Sequence, residues 1–164
     1  MHTAETDLGV VVHHAVVGIE TARALEIVDV TPLVAAVVAQ RGWWDGVALV
    51  QTRHTTTGLL LNEHEPLLAG DLTALFERLA PAQLWYAHDD FPKRSALEPG
   101  ERANGAAHCR AALLRASESL AVAGGGLRLG RWQRLLFVEC DGPRHREVSV
   151  TCLGIGRDRP PAPA

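Results

Sequence analysis

Apolar residues alternate with polar or small residues along much of the chain, which is the period of β-strands that bury one face. Where β-branched and aromatic residues join this pattern, strands are predicted over residues 10–17, 24–30, 46–52, 59–65, 84–88, 119–122, 127–129, 132–140 and 147–152. We expect the last four to form an antiparallel meander. Its final turn is predicted at Asp141-Gly142-Pro143-Arg144, because these residue types favour a tight reversal.

Helical spacing of apolar residues interrupts the strands. The predicted helices cover residues 33–40, 72–79 and 105–115, with Thr31, Asp71 and Asn104 as their respective N-caps. Residues 91–102 contain two prolines and many charges, so they are predicted to be a loop. Strands and helices are intermixed and the chain ends in antiparallel strands, which indicates an α+β fold. The length favours a single domain over residues 1–155, and the Pro- and Arg-rich residues 156–164 are expected to be a disordered tail.

Composition excludes several classes of protein. With 47% hydrophobic and 21% charged residues the chain is globular, and no apolar run approaches the length of a membrane span. A net charge of −3 argues against a surface that coats nucleic acid. The N-terminus lacks the basic and apolar regions of a secretion signal, and the three cysteines show no metal-binding spacing. We therefore expect a cytoplasmic protein with reduced, buried thiols and with neither nucleic acid nor membrane as a partner.

The stretch from His54 to Pro66, HTTTGLLLNEHEP, concentrates the candidate chemistry. Its apolar centre, Leu59 to Leu61, is typical of a buried strand, so the polar residues at both ends are held near the core. Burying polar side chains without partners is unfavourable, and a hydrophobic core does not need them. The stretch therefore indicates a functional site. If the strand continues to residue 65, alternation places Asn62 and Glu63 on opposite faces.

Four motifs occur in a fixed order: HTTTGLLLNEHEP, YAHDD, NGAAHCRAALL and GGLRLGRWQRLLFVECDGPRHREV. In this order they resemble the YjbQ-like family, which is also described as the secondary thiamine-phosphate synthase family. The resemblance extends from the first strand to Gly154. It implies an α+β fold of two packed, mainly antiparallel sheets with about three helices, assembled as a homotrimer. It also implies a weak thiamine phosphate synthase activity, in which a pyrimidine diphosphate joins a thiazole phosphate and releases diphosphate.

Matching the motifs residue by residue transfers a set of site residues to this sequence. The resemblance implies catalytic roles for His54, Glu63, His88 and His108, and binding of a small phosphorylated metabolite by Asn62, Gln133, Arg144 and Arg146. It further carries over Glu65, Tyr86, Trp132 and Asp141. The sequence departs from the family pattern at Arg53, Asp89 and Arg115, where the family more often has a small residue or proline, an asparagine and a glycine. These departures add two arginines and one carboxylate near the predicted site.

Three of the residues suggest a metal site. His54, His88 and His108 are predicted at the edges of three different elements, and converging imidazoles make a site with one position open to water. A divalent ion, Mg or Zn, would then be the cofactor. The alternative is that each histidine is a hydrogen-bonded structural residue, because their spacing in the sequence does not require them to meet.

The residues near the C-terminus have similar alternatives. Arg144 and Arg146 either clamp an anionic group or lie on a solvated strand face with Glu147. Trp132 is expected in the core, and Asp141 is also a good turn residue. Three functions fit the same residues: thiamine phosphate synthesis, a metal-dependent hydrolase using the three histidines, and a trimer that binds a metabolite without catalysis.

Overall fold

The computed structural model describes residues 9–156. They form two antiparallel sheets and three α-helices. The strands are β1 Val10–Glu20, β2 Glu26–Asp29, β3 Trp44–Thr52, β4 Thr57–Asn62, β5 Ser117–Ala123, β6 Gly126–Leu127, β7 Arg134–Glu139 and β8 His145–Gly156; the helices are α1 Thr31–Ala39, α2 Pro66–Leu79 and α3 Gly105–Ala111. One sheet has the order β1-β8-β3-β5-β6 and the other β2-β7-β4. This architecture confirms the α+β fold of two antiparallel sheets.

Two hydrophobic clusters lie on opposite faces of the three-stranded sheet. The larger cluster fills the space between the two sheets and α1, where Trp44 and Phe137 are fully buried. The indole N–H of Trp44 donates to the carbonyl oxygen of Val38 at 3.0 Å, which satisfies its polar atom inside the core. The smaller cluster includes Val138 of β7, Phe76 of α2 and Ala107 of α3. Because consecutive residues of β7 face opposite sides and both faces are covered, the strand is apolar from Leu135 to Val138.

Of the predicted C-terminal meander only the first hairpin, β5 with β6, is confirmed; the rest is wrong, and the reason matters for the site. β7 belongs to the three-stranded sheet, whereas β8 pairs with β1 and β3 in the five-stranded sheet. The Asp141-to-Arg144 segment therefore carries the chain from one sheet to the other. The predicted strand over 84–88 is also wrong, since Ala87–Asp89 is a turn of 3₁₀-helix. The strand predicted over residues 59–65 continues only as far as Asn62.

Two of the three predicted N-caps, Thr31 and Asp71, are wrong, whereas Asn104 does occupy the N-cap position of α3. Helix α2 begins at Pro66, and the carboxylate of Glu65 accepts hydrogen bonds from two backbone N–H groups of its first turn at 2.9 and 3.0 Å. At α1 the Thr31 hydroxyl accepts instead from the N–H of Leu135 at 2.8 Å. At α3 the Asn104 side chain makes no capping hydrogen bond.

The structure also tests the predictions made for the end of α3, for Trp132 and for the three cysteines. Helix α3 ends at Ala111, before the predicted end at Arg115. Trp132 is 63% exposed and so lies outside the core. All three cysteines are free thiols, as expected; Cys140 and Cys152 are buried, but Cys109 is exposed.

The predicted domain ends at residue 155, but the last strand, β8, continues to Gly156. The remainder of the predicted tail, residues 157–164, lies outside the described residues. Within residues 9–156 no helix is both long enough and apolar enough to cross a membrane.

Candidate functional site

A cavity of about 410 Å³ opens where the two sheets meet. Three segments line it: residues 53–56 between β3 and β4, the loop 98–104 before α3, and the turn between β7 and β8. Four arginines and one histidine are among the lining residues, namely Arg53, His54, Arg102, Arg144 and Arg146. The structure therefore brings His54 together with the two arginines predicted to hold an anion.

The floor of this cavity is a buried ion pair. Glu139 is fully buried, and Arg146 is 5% exposed. The guanidinium of Arg146 donates to both carboxylate oxygens of Glu139, at 2.6 and 2.7 Å, and also to the hydroxyl of Thr56 at 3.1 Å. Glu139 accepts in addition from the Thr21 hydroxyl at 3.1 Å. These contacts occupy most of the Arg146 fork, so Arg146 shapes the site from below. The predicted solvated strand face is wrong for this residue.

Asp141 organises a second group of cations above that floor. Its carboxylate accepts from Arg102 at 3.0 Å, from Arg144 at 2.9 Å and from the amide of Asn104 at 3.0 Å. Its backbone carbonyl accepts from the same two arginines at 2.6 and 3.0 Å. The carboxylate side chain is only 11% exposed, whereas those of Arg102 and Arg144 are 49% and 38% exposed. The two guanidiniums thus lie on the solvent side of their shared carboxylate.

His54 is held in one defined orientation. Its Nε2 accepts a hydrogen bond from the backbone N–H of Glu147 at 2.8 Å. Burial, followed by the positive charge of Arg146, holds the pKa of His54 below its usual value. The neutral ring therefore carries its proton on Nδ1. Because Nε2 is already in use, this geometry does not favour His54 as a metal ligand.

His88 and His108 form a pair whose ring centroids lie 4.6 Å apart. Burial and then the neighbouring His88 hold the pKa of His108 below its usual value. Beside them, Oδ1 of Asp89 accepts from the N–H groups of Asn104 and Gly105, both at 2.9 Å. Asp89 therefore caps α3 and fixes the loop that carries the pair. His88 and His108 do not line the cavity of His54.

No group of three or more His, Cys, Asp or Glu side chains within residues 9–156 is arranged to hold a metal ion. The predicted convergence of three histidines is thus reduced to a pair, His88 with His108, and His54 stands apart from them. Metal binding itself stays a prediction.

The remaining predicted residues lie at the other end of β4. His54 precedes this strand, while Asn62 ends it and Glu63 follows. Six residues of extended chain at about 3.3 Å each separate the two groups by roughly 20 Å. Glu63 lines a separate depression of about 400 Å³ beside Trp132. The Gln133 side chain accepts from the N–H of Gly130 at 2.8 Å and so stabilises a turn. The transferred residues therefore fall into three groups within one chain: the cavity of His54, the pair His88 and His108, and the region beyond β4.

Sequence reasoning overlooked several residues of the cavity. Arg102 lay in a segment predicted only as a loop, and Asn104 was assigned to a helix cap. Glu139 did carry a signal, because it is the one acidic residue in the apolar run LLFVEC. A charged residue in such a run needs a buried partner, and that partner is Arg146.

Comparison with known proteins agrees with this fold. The sequence model of the family described as UPF0047 protein YjbQ-like matches residues 15–155. A UPF0047 protein of Archaeoglobus fulgidus is 42% identical over 135 residues, covering 82% of this chain and 97% of its own length. The UPF0047 protein YugU of Bacillus subtilis is 32% identical and covers 83% and 96%. The crystal structure of a YbjQ-like protein of unknown function from Sulfolobus solfataricus P2 has a TM-score of 0.78 at 30% identity, covering 89% of this chain and 99% of that one.

Proposed function

The chain belongs to the UPF0047 family of YjbQ-like proteins, and from the chemistry of its cavity we propose that it is an enzyme acting on small phosphorylated metabolites. The observation that carries this proposal is the pair Arg102 and Arg144, whose partly exposed guanidiniums share one largely buried carboxylate at the cavity. Guanidinium forks match the geometry of phosphate oxygens. The reaction we propose is thiamine phosphate synthesis, as the family resemblance implies.

In that reaction the bond between a pyrimidine methyl carbon and the diphosphate oxygen breaks, and the diphosphate leaves with the electron pair. The thiazole nitrogen forms the new carbon–nitrogen bond. The protein has to hold two rings in line and to neutralise the leaving group. Arg144 and Arg102 supply positive charge where diphosphate accumulates. The Nδ1–H of His54 supplies a neutral donor beside them, since the pKa of this histidine is held below its usual value by burial and Arg146.

A metal-dependent hydrolase is the second candidate, and the proximity of His88 and His108 favours it. These two imidazoles would be the ligands of a divalent ion, Mg or Zn, which when bound would activate a water molecule. His54 fits this role poorly because Nε2 accepts from the chain. The third candidate, a trimer that binds a metabolite without catalysis, needs only the arginines.

We also propose that the protein is a homotrimer of the cytoplasm. The free thiols of all three cysteines support a reducing compartment.

Self-association is supported by an apolar row on the outer face of the five-stranded sheet. There Val12 of β1 and Val47 of β3 flank Leu153 of β8, and they are 63%, 43% and 50% exposed. Light scattering should give three times the chain mass. A stable monomer at micromolar concentration would remove the homotrimer.

The decisive experiment incubates the purified protein with the pyrimidine diphosphate and the thiazole phosphate and measures thiamine phosphate by chromatography. Activity is expected in the unchanged protein and should be lost in Arg144→Gln. The control is Arg128→Gln, because Arg128 is exposed and does not line the cavity. Metal analysis of the same sample tests the hydrolase. A stoichiometric metal that His88→Gln releases, together with absent synthesis, would favour hydrolysis.

A further inference from the structure

We propose that Arg102, Arg144 and Arg53 form a binding site for a diphosphate group, with Asp141 as the residue that positions two of them. This inference rests on the proposed function, since it specifies the ligand class of the same cavity. Arg102 and Arg53 do not belong to the transferred site residues, and Arg53 stands where the family more often has a small residue or proline.

The charge arrangement around Asp141 leaves positive charge for a ligand. One carboxylate faces two guanidiniums, so the group of Arg102, Arg144 and Asp141 carries a net charge of about +1. Each guanidinium has five N–H donors, and each uses only part of them on Asp141. Neither Nη1 donates to an acceptor within residues 9–156. The largely buried carboxylate of Asp141 holds both cations in place, which lowers the ordering required when a ligand binds.

The other charged groups at the cavity differ in how firmly they are held. Arg53 pairs with Glu147 at 2.6 Å, but both side chains are well exposed, at 52% and 39%. Such an exposed pair is weak, so Arg53 can turn to a ligand. Glu101 is engaged by Arg94, which lowers its pKa. Glu98 also lines the cavity and opposes an anion there.

A ligand with two linked phosphoryl groups fits this arrangement better than one with a single group. The cations come from three separate segments, at residue 53, residue 102 and residue 144, which surround a cavity of about 410 Å³. One phosphoryl group can accept one or two guanidinium forks, and a diphosphate presents oxygens to all three. We therefore expect inorganic diphosphate to bind more tightly than phosphate.

Calorimetry with the full chain and inorganic diphosphate tests the site. Arg102→Gln and Arg144→Gln should each weaken diphosphate binding by about tenfold or more, because each removes charge-assisted hydrogen bonds. Arg128→Gln should leave it unchanged. Glu98→Gln should strengthen it, because an opposing charge is removed. Circular dichroism establishes that each variant is folded, and the exposed positions of Arg102 and Glu98 favour this.

The results separate the site from the proposed reaction. Diphosphate binding that depends on Arg102, in a protein that makes no thiamine phosphate, would support the site and remove the synthase. Equal affinity for phosphate and diphosphate would overturn the inference. So would Arg102→Gln and Arg144→Gln variants that behave like Arg128→Gln, whether or not synthesis is observed.

Discussion

Glu139 and Arg146 form a doubly hydrogen-bonded ion pair in which both side chains are buried. Glu139 ends β7 of one sheet and Arg146 is the second residue of β8 in the other, so the pair connects the two sheets beneath the cavity. Oε1 of Glu139 also accepts from the N–H of Asp141 at 2.8 Å. The ion pair thus fixes the turn that carries Asp141 and Arg144.

The first prediction concerns the stability that this pair supplies. Glu139→Gln leaves the Arg146 charge buried without its counterion, and we expect a loss of about 3–5 kcal/mol in the free energy of unfolding. Glu147→Gln breaks the exposed pair with Arg53 and should change it by less than about 1 kcal/mol. Urea denaturation followed by tryptophan fluorescence measures both variants. Equal effects of the two substitutions would contradict the structural role of Glu139.

The sequence was sufficient to predict the strands of the core, because their residues either alternate or form short apolar runs. It could not predict which sheet β8 joins. That depends on pairing with β1, whose residues lie more than 100 positions earlier, as in the pair His13 and Cys152. The meander error follows from this, since a tight turn usually joins neighbouring strands of one sheet.

The residues of the candidate site were likewise predicted only in part. His54, Arg144 and Arg146 were predicted together and do meet at one cavity. Glu63 was predicted with His54 from the same motif. The strand β4 lies between these two residues and holds them apart, although they are close in the sequence. Arg102 was overlooked because its role depends on Asp141, 39 positions away. Local pattern carries no information about such a contact.

The second prediction concerns Asp89 and pH. Burial alone would raise the pKa of Asp89, but hydrogen bonds from the N–H groups of Gly105 and Asn104 outweigh it and hold the pKa below its usual value. Its stabilising contribution is therefore present above the unfolded pKa of about 3.9 and is lost as the pH falls through the lower folded value. Asn also accepts hydrogen bonds at an N-cap. Asp89→Asn should thus remain folded at pH 7. Between pH 5 and 2 its stability should fall less than that of the unchanged protein.

Thermal unfolding across this pH range measures the difference between Asp89→Asn and the unchanged protein. Asp71→Asn, at an exposed position on α2, is the control. If Asp89→Asn shows the same acid dependence as the unchanged protein, the hydrogen bonds of Asp89 do not contribute as described.

The third prediction concerns the pair His88 and His108. Burial and the charge of His88 keep the pKa of His108 below its usual value of about 6.5. His88→Gln removes the charge, so the pKa of His108 should rise. NMR titration of the His108 ring protons measures this change. His14→Gln, at an exposed position on β1, should not alter the pKa of His108.

The sign of the accompanying stability change follows from proton linkage. Because the folded pKa of His108 is the lower one, the unfolded chain binds more protons between the two values, and stability falls as the pH drops through that interval. His88→Gln should reduce this fall. A variant with an unchanged pKa at His108 would mean that the two rings do not interact in solution.

The last prediction concerns the two roles of His54. A glutamine side chain can place an oxygen near the position of Nε2, so His54→Gln should keep an acceptor for the N–H of Glu147 and retain stability within about 1 kcal/mol. His54→Ala strands that partly buried N–H and should lose about 1–3 kcal/mol. Both variants lack the Nδ1–H donor, so both should lose activity, although only one loses stability. Proton–nitrogen correlation spectra of the unchanged protein should show the His54 proton on Nδ1. A proton on Nε2, or an alanine variant as stable as the glutamine variant, would contradict the hydrogen bond that orients this ring and with it the assignment of Nδ1–H as the group presented to a ligand.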